Sequence, residues 1–324
     1  MTSLHDLIRR LLTPRAPAKP LEPKDHPEET KRKLAEIIQH FSAAGFELPI
    51  SSSEHGAVLS EEKAPLSERE MMFLSREGIL RFLTGGTATK GDEAAAIARL
   101  EKTLIWRRTE NVEDLHAMSV SCEPEATTGK NIVLGYTPHG RPIIYFFPNR
   151  NTTPVERRRA IHAIFMLERA SDLMCHGVTD TVVVFSFIGK RSGQPTSISV
   201  ARETLHILSE YYPEKLNTSH FLAVPWIVKT FINLMWPFVD ANTKRKVKFE
   251  ADIVKDGDIH PEELLKECGG DLELPYDHDA YWPTMIELCR DRREDQLTRW
   301  RALGEAKVGR AERLFKVAPE PVEA

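Results

Sequence analysis

YYPEKLNTSHFLAVPWIVKTFINLMWPFVDANTKRKVKF, residues 211–249, joins two signals that seldom sit together. Its centre, 226–238, has the length of a helix. Trp226, Ile227, Val228, Phe231, Ile232, Leu234, Met235, Trp236 and Phe238 are apolar nearly all the way round it. Such a helix is either sealed in a core or has an apolar side with a second use, as a lid that covers a cavity and dips into a bilayer. Directly after it, TKRKVK gathers four cations, which suit an anionic headgroup or a solvated strand end. Short β-type runs flank the helix at 219–224 and 246–252.

Working outward, the pattern repeats strand, helix, strand. NIVLGYTPHGRPIIYFF, from Asn131, reads as two strands around a turn at Pro138, His139 and Gly140. A helix is expected from Pro154. TVVVFSFIG, 181–189, is a continuous β-branched and aromatic run of the kind buried on both faces. Ile198, Ala201, Leu205 and Leu208 make a helical stripe, and PEELLKEC, 261–268, reads as a helix closed by Gly269 and Gly270. The order predicts an α/β domain with a mainly parallel sheet over 116–282. Upstream, 29–115 reads as helical: Ser67 and Glu70 form a capping box for a helix to about Leu83, and Asp92 caps the next. Residues 1–28 are a short amphipathic helix and a proline-rich linker. The helix could touch a membrane surface or dock on its own domain or on a partner. A charged helical tail fills 283–324, a second surface for a protein partner.

Composition narrows the function. Four widely spaced cysteines without CxxC pairing argue against zinc or a disulfide framework and suit a reducing compartment. A net charge of -4 gives no general attraction to nucleic acid. The N-terminus lacks the apolar core of a signal peptide, and no stretch reaches the roughly 18 apolar residues that span a bilayer. A cytoplasmic protein is expected. LRFLTGGTATK, 80–90, imitates a P-loop, but Lys90 precedes Gly91 and Asp92 follows, which would set a carboxylate against the phosphates. No G-x-S-x-G or H-E-x-x-H occurs. His162 and His206 lie inside helices as packed or solvated side chains, and Asp277, His278 and Asp279 read as a loop bonding its own backbone. No catalytic constellation emerges, and no metal site.

Taken together, YYPEKL, VPWIVKTFINLMWPFVDANTKRKVKF and HPEELLKECGGDLELPYD resemble, in order and spacing, the CRAL-TRIO lipid-binding family. The nearest group is the secretory-pathway phosphatidylinositol/phosphatidylcholine transfer proteins. HGRPIIYF and TVVVFSFIG match earlier strands, and ILRFL with IWRR matches the helical N-terminal subdomain. The resemblance implies a sheet flooring an apolar lipid pocket, a gating helix at 226–238, and transient contact with membrane phospholipids. It implies a carrier, not an enzyme, which exchanges phosphatidylinositol between membranes or presents it to lipid-modifying enzymes at endomembranes. Carried over by motif, Glu214, Thr243 and Lys246 would hold the headgroup, and Thr181 with Tyr145 would make a second phospholipid contact. The chemistry fits, since lysine and hydroxyl meet phosphate while a carboxylate accepts from inositol hydroxyls.

The departures are local. Where the family carries a basic run after RFL, this chain has Thr84, Gly85, Gly86 and Thr87. The Ser/Thr pair that contacts a choline phosphate becomes Thr181 and Val183, and the acidic residue ending that strand becomes Ser186. These changes leave open a sterol, an isoprenoid or a haem-type tetrapyrrole as cargo, and a membrane-associated adaptor role.

Overall fold

The computed structural model describes all residues except 1–2, 15–16, 18–20, 22–24, 54–57, 86–90, 306 and 319–324. Gly86, Thr87 and Lys90, with much of the proline-rich linker, therefore lie outside the described residues.

The sheet follows from the hydrophobic runs. Strands β3 (Asn131–Tyr136), β4 (Pro142–Phe146), β5 (Thr181–Ser186), β6 (Leu216–Leu222) and β7 (Val247–Phe249) lie side by side in chain order. β3 is antiparallel to β4, and every later pair is parallel. The β3–β4 turn closes through Gly140, whose φ of 75° a side-chain-bearing residue adopts only with strain. Between the strands run helices α7 (Arg158–Asp172), α8 (Ile198–Tyr211) and α9 (Trp226–Met235), the last followed by the short α10 (Ala241–Arg245). The fold is α/β with a mainly parallel five-stranded sheet.

The helical N-terminal part comprises α2 (Glu28–Phe41), α3 (Glu68–Phe73), α4 (Arg76–Thr84), α5 (Glu93–Thr109) and α6 (Leu115–Ala126). It has its own core around Ile37, Phe41, Ile79, Leu83, Leu100 and Leu104. A small antiparallel pair, β1 (Glu47–Pro49) with β2 (Lys63–Pro65), was not foreseen. Trp106 stacks on Tyr211 at 4.5 Å, and Arg99 donates to the Glu210 carbonyl at 2.8 Å, which seats α5 on the end of α8.

Several local expectations are corrected. The helix from Ser67 to Leu83 is two helices, because the Ser75 hydroxyl accepts from Gly78 N and starts a new one. α7 begins at Arg158, not Pro154. Residues 261–268 make two 3-10 turns, with Gly269 left-handed at φ 97°. The last helix, α11 (His278–Ala302), starts earlier than the expected tail, capped by Asp277 accepting from Ala280 N.

Both terminal helices spend their apolar sides inside the chain. α1 (Leu4–Leu12) buries Ile8, Leu11 and Leu12 in the main core, and its Arg9 pairs with Glu287 of α11 at 2.9 Å. Of the three readings for this helix, docking on its own domain is what the structure shows. α11 runs from the sheet to the helical part. Its Tyr281 hydroxyl bonds both backbone groups of Val133, and Trp300 is buried beside Met72 and Phe315. Ile8, Leu11, Leu12 and Trp300 of these two helices are thus taken up by intramolecular packing.

Candidate functional site

The run TVVVFS does not sit in a sheet covered on both faces. Val182 and Val184 are sealed, while Val183 and Phe185 are only half-buried. Register explains the asymmetry. Phe146, Phe185, Phe221 and Phe249 are paired neighbours across β4–β7, so they share one face. Their rings form a ladder with centroids 4.8, 4.6 and 5.2 Å apart. All four stand at or next to the C-terminal ends of their strands, the edge at which parallel sheets present ligand sites. The resemblance implies an apolar floor, but the phenylalanine ladder that makes it escaped the sequence reading, although a Phe near the end of each successive strand was the signal.

Segment 226–238 lies against one end of the floor. Trp236, in the 3-10 turn that continues α9, lies 6.2 Å from Phe249. The helix is not a core helix: Met235 is 5% exposed, whereas Trp226 is 75% and Phe238 51% exposed. Phe231 is half-buried. Two cations flank the turn, Arg202 over Phe238 at 4.4 Å and Lys244 over Trp236 at 5.8 Å. Leaving Trp226, Ile227, Leu234 and Phe238 half or more exposed forgoes hydrophobic stabilisation, so this helix is suited to meeting another apolar phase.

At the other end of the strands, the structure brings Glu214 and Lys246 together. Lys246 Nζ donates to Glu214 Oε2 at 2.9 Å, and Asn242 Nδ2 donates to Oε1 at 2.7 Å. Glu214 is left-handed, at φ 55°, which turns the chain sharply before β6. Thr243 stands in the same short helix, but its hydroxyl donates to Asp240 at 2.5 Å, so it does not face Glu214 directly. Burial drives the Asp240 carboxyl upward, yet hydrogen bonds from Thr243 and from the backbone N–H groups of Thr243 and Asn242 outweigh it, and its pKa is lowered. Asn242 was missed in the sequence because it carries no charge, and Asp240 because no spacing ties its carboxylate to Glu214 or Lys246.

Gly85 abuts this site. A Cβ there would lie 2.7 Å from Glu214 Cγ and 2.2 Å from the Arg81 carbonyl oxygen. The end of α4, where the family carries cations, thus packs against Glu214. Thr181 is buried, its hydroxyl donating to the Lys215 carbonyl at 3.1 Å, which ties β5 to the same loop. Tyr145 requires a correction. Its register partner is Val184, on the face opposite the phenylalanine ladder. Its hydroxyl is fixed between the Glu263 carbonyl, at 3.1 Å, and Leu265 N, at 3.3 Å. Alternation along the strand turns it away from the floor, so it makes no second lipid contact there.

His162 stays outside the site. His162 is fully buried against Asn131, and burial lowers its pKa to about 3. Among the described residues, no three His, Cys, Asp or Glu side chains gather as a metal site.

Residues 126–270 match the CRAL/TRIO domain. Phosphatidylinositol transfer protein PDR17 of Saccharomyces cerevisiae is 32% identical over 289 residues, covering 86% of this chain and 81% of that one. The chain belongs to the CRAL/TRIO family. A CRAL-TRIO domain-containing protein of Schizosaccharomyces pombe is 35% identical over 277 residues. That alignment covers 86% of this chain but only 26% of the relative, so the chain spans about a quarter of it. Patellin-5 of Arabidopsis thaliana is 25% identical over 48% of this chain. The CRAL/TRIO match opens at the end of α6 and closes at Gly270, so it contains the ladder, the exposed helix and the Glu214–Lys246 pair. As a CRAL/TRIO protein the chain belongs to a lipid-binding and transfer family whose members are typically not enzymes. Among the described residues no helix is long and apolar enough to cross a membrane.

Proposed function

We propose that this CRAL/TRIO chain takes a single phospholipid, phosphatidylinositol in first place, from one membrane and releases it at another or to a lipid-modifying enzyme. The observation that carries this is the Glu214–Lys246 pair at one end of an apolar floor. Lys246 directly precedes β7 and Phe249 ends it, so at about 3.3 Å per residue the pair lies roughly 10 Å from the ladder. A polar head and apolar tails need that separation. Lys246 meets the phosphate, Glu214 accepts from ring hydroxyls, and Thr243 adds a hydroxyl once it leaves Asp240. The exposed helix 226–238 rests in the bilayer during exchange and covers the tails afterwards. The protein works in the cytoplasm with peripheral contact to endomembranes, and the reading needs no catalytic group.

Loading the protein from mixed liposomes and identifying the extract by lipid mass spectrometry tests this. Phosphatidylinositol should be recovered. Lys246→Ala should lower its transfer about tenfold while transfer of a neutral lipid holds, since a charge-assisted hydrogen bond contributes about 1.5–3 kcal/mol. An extract without lipid, with transfer at background, would sink the reading. A second reading has its own support. The stacked phenylalanines, with Thr84 and Gly85 in place of cations, suit a neutral ring-bearing or isoprenoid cargo or a haem-type tetrapyrrole. A coloured protein or a neutral lipid in the same extract decides for it.

A further inference from the structure

Away from the ladder, a cavity of about 120 Å³ lies where α3, α4, α7, α11 and the chain's last described turn converge. It is large enough for several waters or one tetrahedral oxyanion. Its walls carry six cations against four carboxylates.

The carboxylates are already engaged. Glu113 is bonded by Arg107 at 2.5 Å, and Glu168 by Arg107 at 2.7 Å and by the Tyr212 hydroxyl at 2.7 Å. Asp172 lies 3.4 Å from Arg293, and Glu312 lies 2.6 Å from Lys316. Left over are donors. Lys215 Nζ donates to the Ser171 hydroxyl at 3.2 Å, and Arg69 donates to the Arg293 carbonyl at 2.9 Å. Arg81 Nη1 and Gln296 Nε2 are buried without an acceptor, and Arg81 stands 3.7 Å from the nearest Glu312 oxygen. An excess of buried cations with open donors is costly unless an anion supplies the acceptors.

We propose that this interlobe cavity binds an oxyanion of the phosphate class, held by Lys215, Arg81 and Arg69. Burial, with Arg81 and Lys316 close by, also pushes the Lys215 ammonium well below the usual lysine range, and a bound dianion reverses that pressure. The site is distinct from the Glu214–Lys246 pair, although Lys215 is the next residue in the chain. It joins the helical part, the sheet domain and the C-terminal turn at one point, so occupancy fixes their relative positions.

The full-length chain is titrated with inorganic phosphate against chloride at equal ionic strength, following the melting temperature and ³¹P line width. Phosphate should raise the melting temperature saturably and broaden the ³¹P line. Lys215→Met should weaken phosphate at least tenfold while raising the melting temperature in chloride, because a desolvated amine crowded by Arg81 and Lys316 is gone. Arg69→Gln should weaken phosphate in the same direction and serves if Lys215→Met does not fold. A parallel arm replaces phosphate with phosphatidylcholine vesicles containing phosphatidic acid. A response confined to those vesicles and lost in Lys215→Met assigns the oxyanion to a lipid headgroup, whereas a response to inorganic phosphate assigns it to the free ion. Equal behaviour in phosphate and chloride with no Lys215-dependent vesicle response would overturn the proposal. So would a phosphate response lost in Lys246→Ala but intact in Lys215→Met, which would move the anion to the other site.

Discussion

Phe185 is the central rung of the ladder, and Phe185→Ala tests whether the floor is a working surface. The ring stacks on Phe146 at 4.8 Å and on Phe221 at 4.6 Å, with interplanar angles of 20° and 14°. Two aromatic contacts at about 0.5–1.5 kcal/mol each give roughly 1–3 kcal/mol. Half-burial of the ring adds about 1 kcal/mol of transfer free energy. The substitution should therefore cost about 2–4 kcal/mol in urea denaturation, less than the ~3–5 kcal/mol of a fully sealed Phe→Ala. Phe185→Leu keeps most of the apolar area and loses only the stacking, so about 1 kcal/mol of the cost should return. The functional reading adds a second expectation. Lipid recovered per mole of Phe185→Ala should fall severalfold without a change in headgroup composition, because the floor contacts tails and Lys246 contacts the head. A cost below ~1 kcal/mol with unchanged loading would refute the ladder as both a structural and a binding surface.

Other substitutions probe the parts around it. Gly85→Ala puts a methyl 2.7 Å from Glu214 Cγ, so it should displace Glu214 from Lys246 and shift headgroup selectivity as Glu214→Ala does; unchanged selectivity refutes the contact. Arg202→Ala removes the cation above Phe238, worth about 0.5–1 kcal/mol, and amide exchange over 226–238 should speed up several-fold. An exchange pattern equal to wild type would show that the cation does not restrain the gate. Buried His162 titrates near 3 when folded and near 6.5 when unfolded, so the unfolded chain takes up its proton first as pH falls. Stability carried by the neutral ring is thus whole above pH ~6.5 and drains between there and about 3, by up to ~1.4 kcal/mol per unit. Wild type should lose about 2 kcal/mol more than His162→Gln between pH 7 and 5, and parallel losses refute the assignment.

How much of this could be read from residue order depends on whether a feature is periodic or pairwise. The β-α alternation was legible because β-branched runs, helical stripes and caps such as Asp92 are local and repeat. Helix ends set by one hydroxyl, as at Ser75, were not, since the continuous apolar stripe of 67–83 outweighs a single cap in any window. The 261–268 segment has helical composition but adopts 3-10 turns, because Leu264 and Leu265 are both buried and the Leu265 N–H is taken by Tyr145. At the site, Glu214 and Lys246 are 32 residues apart and meet only because β6 and β7 are parallel neighbours. That meeting was accessible through family motifs, not through spacing.

The same pairwise logic bears on the missing cations at the end of α4. Read along the chain, Thr84 and Gly85 look like the loss of a phosphate-binding run. In space Gly85 leaves no room for a Cβ against Glu214, so any larger residue there would compete with the carboxylate that pairs with Lys246. The substitution therefore does more than subtract positive charge. It lets α4 close onto Glu214, and it leaves Lys246 as the cation directly paired to that carboxylate. On the proposed function, Lys246 exchanges one anion for another when a phosphate arrives, while Glu214 keeps Asn242 Nδ2 at 2.7 Å as a donor. Headgroups that bring hydroxyls to Glu214 and phosphate to Lys246 satisfy both members of the separated pair. A choline headgroup offers Glu214 no hydrogen-bond donor. On this argument the glycine sharpens discrimination in favour of a polyol phosphate, and Gly85→Ala should erode that discrimination more than it erodes total lipid uptake.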